Sequence, residues 1–372
     1  LLGSTILLYA GQTIAVLILA RLLQGVSAAV VWTIGLALVM DTVGSEKLGV
    51  TIGSIFSFIS VGELLAPVLG GVVYEKAGSG GVFGMGFGLL TIDFVMRLLL
   101  IEKKIAAKYA AHGFHEEADE EEEAAVVEAD EADEESPLLR QQESERWKIR
   151  KEQPNWVKIF PIIYCLRDPR LLTAQAVAFT QACLVAVFDA TIPTEAQDLF
   201  DFHPLRAGII FIPLVLPYLL LGPYFGGLVD KHGVKAGATL GFAYLVIPLL
   251  CLRIPSVGGT SEIAKFSAVL VFCGFGLAII SSPSIVESSY VVEQYHKHND
   301  GFFGKEGPYA QLYAINSMFF CLGLTVGPLL AGVLREKIGF GNMCAVVAGM
   351  CGGISVLSYF FLGEKPKSWR RN

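Results

Sequence analysis

Five ionisable side chains stand inside long apolar runs of this sequence: Arg21, Glu63, Asp93, Arg97 and Asp189. A charge at membrane depth costs at least about 2–3 kcal/mol, so each of them needs a partner or a function. Asp93 and Arg97 are four residues apart, which puts them on one helix face where they can neutralise each other. Arg21 has no acid within two helical turns, which leaves it to bind an anionic group, to tune a proton-carrying acid, or to bond backbone carbonyls. Asp189, in the stretch Phe188 to Pro193, is a carboxyl that can take up and return a proton once water is excluded. Glu63 serves either as a second proton site or as a polar contact between helices. Gln24, Trp32, Gln181 and Asn316 add uncharged polar groups at similar depth, suited to lining a solute cavity or to hydrogen bonding across helices.

These residues are carried by apolar runs at about 14–40, 50–74, 82–101, 171–193, 207–229, 236–252, 266–286, 309–334 and 340–362. A spanning helix needs roughly 20 apolar residues, so the runs predict nine complete spans and, at Leu1–Ala10, half of another. With 53% hydrophobic and only 17% charged residues, the chain cannot cover a water-soluble surface of its size. Turn-formers and charges such as Gly44–Lys47, Lys76–Gly81 and Asp230–Gly233 make short loops that set neighbouring spans antiparallel.

The net charge of −7 is local, because Glu102–Lys158 holds 17 acids and 9 bases and the remainder is almost balanced. Between His115 and Glu135 the chain is nearly all Glu, Asp and Ala, the composition of a water-exposed linker. Placing that linker in the cytosol puts 20 of the 28 Lys and Arg on the same side and 6 opposite, as the positive-inside rule requires. The expected organisation is a partial helical bundle over 1–101, an acidic cytosolic loop over 102–168, a six-helix bundle over 169–364 and a cytosolic tail over 365–372. Within the loop, Glu134–Leu139 has the pattern of an acidic dileucine sorting signal, read either as a vacuolar address or as an accidental match.

One segment recurs. Gly62–Gly78 matches Gly323–Gly339 without a gap at a constant offset of 261 residues, sharing Gly62/Gly323, Pro67/Pro328, Gly71/Gly332, Glu75/Glu336, Lys76/Lys337 and Gly78/Gly339. Parallel repeats of six-helix halves, with a binding site between them, are an established membrane architecture. On that scheme the repeated helix is the fifth of each half, and the start at Leu1 is expected to be a cut with two and a half spans missing. The spans are then III to XII. A chain so shortened carries a rival expectation, a membrane protein that transports nothing.

Six of the seven cysteines lie in apolar stretches and none forms a paired motif, so neither zinc nor a disulfide framework is expected. No glycine-rich phosphate loop follows a strand and no nucleophile stands with a base, which disfavours an ATP-driven pump or a membrane enzyme. No cofactor and no nucleic acid partner are expected, only lipid, a small organic solute and protons, with the chain acting as a monomer.

At Arg21-Leu22-Leu23-Gln24-Gly25, at the two Gly-Pro or Ala-Pro spans, and at Gly226–Lys235, the sequence resembles the major facilitator superfamily. The resemblance implies an all-α fold of two pseudo-symmetric bundles and a secondary transporter working by alternating access. Gly53, Gly62, Ala66-Pro67 and Gly70-Gly71 resemble that superfamily's antiporter motif, with Ala66 where the pattern has Gly. Small residues there let helices approach closely, and Pro67 removes an amide that would hold the helix straight. The loop with Asp230, Lys231 and Gly233 resembles a cytosolic latch signature, implying that Asp230 sits by the start of span IX and that Lys231 and Lys235 reach acids such as Glu293. Gly327 and Pro328 complete the gating set. Within the superfamily the sequence is similar to the vesicular amine transporters and nearby drug-proton antiporters. That implies export or sequestration at a plasma, vacuolar or vesicular membrane; Asp189 resembles an acid found at its place in the amine transporters, and with Glu63 and Arg21, read from their own charge, it makes the candidate set for proton coupling. The sequence departs from them at Ser281 and Asn316, where those transporters carry Asp. An uncoupled facilitator stays open as the alternative.

Overall fold

A computed structural model describes residues 1–99, 147–149, 160–202, 208–299, 301–304 and 307–363. The acidic run and the basic tail, including the dileucine pattern, lie outside these residues. Among the described residues all regular structure is helical: α1 Leu2–Ala10, α2 Ile14–Val43, α3 Leu48–Leu99, α4 Ile162–Cys165, α5 Pro169–Phe200, α6 Ile212–His232, α7 Val234–Cys251, α8 Thr260–Ile280, α9 Pro283–Lys297, α10 Tyr309–Ile338 and α11 Phe340–Phe361. Eight helical stretches among the described residues are long and apolar enough to cross a membrane, with α8 and α9 counted as one. In hydrocarbon a backbone must satisfy its own hydrogen bonds, and a helix does so within each segment.

The 52 residues of α3 make two spans, because the backbone breaks at Gly78 with φ 64° and ψ −165°. Gly339, 261 residues on, separates α10 from α11 with φ 81° and ψ 161°. Residues with a Cβ avoid that region, so the duplicated sequence carries a duplicated backbone corner. Span X departs from expectation. A single run over 266–286 is replaced by α8 and α9, joined at Ser281-Ser282 and restarted by Pro283 at the first turn of α9. Pro lacks the amide a continuous helix would need there, and α9 is rich in Ser, Glu, Gln and Tyr, so hydropathy alone ends the span too early.

Large apolar side chains cover the outside, and polar ones join the apolar core within. Leu220, Leu240, Ile247, Phe272 and Phe360 face outward, while Gln175, Gln181, Ser281, Ser282, Ser288, Ser289 and Asn316 are buried. Apolar surface outward and polar groups inward, all of those named except Ser282 holding a side-chain hydrogen bond, is the arrangement lipid demands. The chain is therefore an integral, multi-pass membrane protein of all-α class.

The described residues divide into two units, one within 1–28 and 73–146, the other within 29–72 and 147–372. In the first, Tyr9 packs on Phe83 and Phe87 at ring separations of 5.0 and 6.2 Å, and Gln24 donates to Thr5 Oγ1 at 3.1 Å. The second is held by backbone-to-backbone approach at glycine. Gly323 and Gly327 of α10 lie on the carbonyls of Phe179 and Cys183 of α5, and Gly49 and Gly53 of α3 lie on those of Gly226 and Gly222 of α6. A Cβ at any of the four would meet a carbonyl oxygen. At the start of α3, Asp230 accepts hydrogen bonds from the amides of Gly49 at 2.8 Å and Val50 at 2.9 Å. A carboxylate there satisfies orphan donors and favours the positive end of the helix dipole.

Two outcomes follow for the purified protein. Gly53→Leu should lower thermal stability by about 1–3 kcal/mol, the cost of overpacking, whereas Gly349→Leu, which meets no neighbour within 4 Å, should leave the melting temperature unchanged. Asp230→Ala should cost about 0.5–2 kcal/mol, the range for a lost helix cap. Both are read from melting temperatures in one detergent.

Candidate functional site

The polar interior of the second unit is organised by α5. Its first turn is fixed by Asp168, whose Oδ1 accepts from the Arg170 amide at 2.8 Å, and by Pro169 at the first helical position. From there α5 runs 32 residues, about 48 Å at 1.5 Å per residue, and presents Gln175, Gln181 and Asp189 in turn. Gln175 donates to Ser288 Oγ at 3.0 Å and accepts from Asn316 Nδ2 at 3.2 Å. Gln181 donates to the carbonyl of Ser281 at 3.3 Å, at the break between α8 and α9. Ser289 Oγ and the Tyr313 hydroxyl share a 2.8 Å hydrogen bond. Gln181 and Asn316, which the sequence offered either to a cavity or to interhelical bonds, are each 2% exposed and bonded across helices in this conformation.

A second group assembles around Glu63. Its carboxyl on α3 and that of Asp189 on α5 are exposed, and Glu63 lies within electrostatic range of Asp189. Glu63 also faces Tyr218 of α6, whose hydroxyl lies against the Gln181 amide and whose backbone carbonyl accepts from Ser57 Oγ at 3.3 Å. Asp189, Glu63, Tyr218 and Gln181 thus form one polar track over three helices. Tyr218 and Gln175 escaped sequence reasoning. Their signal was the lone polar side chain in an apolar run, and the many aromatics here dilute it for Tyr218.

Trp32 is half-buried and stacks on Phe320 of α10 at 6.4 Å, with Phe56 of α3 within 5.9 Å of both rings. The three rings bridge α2, α3 and α10. Arg21 and Gln24 belong to the first unit, where the guanidinium donates to Gln24 Oε1 at 3.3 Å. Asp93 and Arg97 pair at 2.8 Å on an exposed face.

The gating residues divide. Gly327 makes the close contact with α5, but Gly62, Gly70 and Gly71 meet nothing within 4 Å of the position a Cβ would take. Pro67 and Pro328 both lie within helices. Asp230 lies at the N-terminus of α3, where the sequence pointed to the helix that follows it, α7. Lys231 is exposed, Gly233 turns the chain between α6 and α7 at φ 90°, Lys235 sits 5.1 Å from the Tyr359 ring, and Glu293 pairs with Lys297 at 2.7 Å. The contact partner of Asp230 lies 181 residues away in sequence. Periodicity carries no record of such a pairing.

Residues 1–302 match the Major Facilitator Superfamily. An MFS-type transporter, ppzB, of Metarhizium majus is 46% identical over 365 residues, covering 95% of this chain and 80% of that protein. An uncharacterized MFS-type transporter of Schizosaccharomyces pombe is 36% identical over 360 residues, 96% of this chain and 76% of the relative. The synaptic vesicular amine transporter of Bos taurus is 22% identical over 364 residues, covering 98% of this chain and 59% of its own length. With eight apolar helical stretches among the described residues, a duplicated Gly/Pro helix segment and these relatives, the chain belongs to the Major Facilitator Superfamily of membrane transporters.

Proposed function

We propose that this chain acts in proton-coupled antiport, exporting or sequestering a small organic solute by alternating access. The observation that carries the reading is the pair of carboxyl groups, Glu63 on α3 and Asp189 on α5, within electrostatic reach of each other and continuous with Tyr218 and Gln181. Two carboxyls within electrostatic range repel when both are ionised, so a proton taken up by either one relieves the repulsion. Moving α3 relative to α5 changes that repulsion and with it the affinity for the proton, which is the linkage an antiporter needs.

Alternating access supplies such a motion. The contacts of α3 with α6 cluster at Gly49, Gly53 and Ser57, near its N-terminal end, while Glu63, Gly70 and Gly71 lie further along. On the sidedness expected from the basic residues, this conformation is read as closed toward the cytosol, with Asp230, the glycine contact and the Trp32–Phe56–Phe320 rings as the seal. The solute is small and organic. An amine is the first class to screen, from the vesicular amine relatives, although Ser281 and Asn316 are neutral, so its positive charge falls to Glu63 and Asp189.

In proteoliposomes of the full-length protein, Asp189→Asn should abolish solute accumulation driven by a proton gradient while leaving membrane insertion and yield intact. Glu63→Gln should retain part of the activity and shift its pH dependence. Undiminished uphill transport by Asp189→Asn would remove that residue from the proton role. Wild-type transport indifferent to the gradient would mark a facilitator.

A further inference from the structure

The described residues around the start of α5 carry a contact that the proposed transport reaction does not use. Asn299, just beyond α9, brackets a short stretch of the chain ahead of α5. Its Nδ2 donates to the carbonyl of Trp147 at 2.7 Å, and its Oδ1 accepts from the amide of Ile149 at 2.7 Å. The same Nδ2 also donates to the carbonyl of Tyr295 at 2.8 Å, which ties the bracket to the last turn of α9. Trp147 is 5% exposed and packs edge-on against Tyr295 at 5.0 Å.

Beneath this stretch lies a buried ion pair. Arg170 Nε donates to Glu287 Oε1 at 2.8 Å, with Arg170 9% and Glu287 2% exposed. The guanidinium is held between two rings, 5.9 Å from Trp147 and 5.3 Å from Tyr290. The same Glu287 oxygen accepts from the amide of Gly363, the residue at which the chain leaves α11, at 3.1 Å. A Cβ at Gly363 would strike the Arg170 guanidinium, so the close approach requires glycine. Tyr295 donates to Asp168 Oδ2 at 3.3 Å and completes the cluster. One set of side chains therefore joins α5, α9, the exit of α11 and the end of the central loop.

We propose that Trp147–Ile149 is a strap through which the central loop holds this end of the C-terminal bundle shut. Parting an ion pair that stays out of water leaves an uncompensated charge on each partner, so the pair holds its helices together while it stays covered. Trp147 covers one side of it, and Asn299 fixes Trp147 by backbone bonds that no other side chain of the same length and charge can reproduce in full. Tilting α9 away from α5 would break the bracket and uncover Arg170 and Glu287 together, so the end opens only when the strap lets go. This reading stands apart from proton coupling and survives if that fails.

Cys165 of α4 reports on it. The thiol is fully buried beside Asp168, and burial pushes it up to about 12, so a water-soluble maleimide reacts with it only when this end opens. In detergent, with every other cysteine of the full-length protein replaced, wild-type Cys165 should label slowly. Asn299→Ala should label at least tenfold faster, and Asn299→Asp, which keeps the acceptor for Ile149 and loses the donor to Trp147, should fall between. Trp147→Ala, which leaves α9 untouched, should match Asn299→Ala and serves should the latter fold poorly. A control protein whose sole cysteine is Cys273, fully buried in α8, should label equally slowly in all variants. Equal Cys165 rates in wild type and variants, or a parallel rise at Cys273, would overturn the strap.

Discussion

Hydrocarbon offers no hydrogen bonds, and that constraint organises most of the buried polar groups of the second unit. A glutamine, a serine hydroxyl or a helix terminus in a lipid-surrounded bundle must find its partner inside the protein. Gln175 and Gln181 accordingly reach across to Ser288, Asn316 and the freed carbonyl of Ser281, and Asp230 reaches the first amides of α3. Each of these bonds joins different helices, so satisfying the polar groups and fixing the helix arrangement are one process. The apolar side chains contribute little specificity, since lipid solvates them as well as a neighbouring helix does.

Glycine supplies the other half of the arrangement. Where α3 meets α6 and α10 meets α5, the absence of side chains brings backbones together and lets many weak contacts act at once. Both interfaces involve a helix of the duplicated pair, yet they are not equivalent. The α10 contact uses the repeated positions Gly323 and Gly327, while α3 uses Gly49 and Gly53, ahead of the repeated segment, and leaves Gly62, Gly70 and Gly71 without neighbours. A duplicated helix has thus come to serve two different contacts. The corner at Gly78 and Gly339 has kept its backbone in both copies.

Much of this fold was legible in the sequence, for a physical reason. Spans announce themselves because lipid selects apolar runs of fixed length, and the repeat is visible because Pro67/Pro328 and Gly78/Gly339 are residues whose backbone roles few others fill. The break in span X was not legible, because hydropathy averages over windows and Ser281-Ser282-Pro283 reads as a span's end. Nor was the partner of Asp230, the role of Tyr218, or the pairing of Arg170 with Glu287, each of which depends on a tertiary contact between residues far apart in the chain. Glu63 and Asp189 stood out because ionisable residues are rare in lipid. Their closeness to each other did not, since nothing in the spacing of α3 and α5 along the chain sets it.

The central claim is that the end of α3 held by Asp230 closes in one state of the cycle and parts in another. The direct measurement is a distance distribution between spin labels at Lys47 and Lys231, both exposed and flanking the Asp230 contact, in the full-length protein in lipid. The account predicts two populations, a short one for the closed conformation and a longer one whose share changes with pH or with transported solute. A single short distance, unmoved by either, would contradict it.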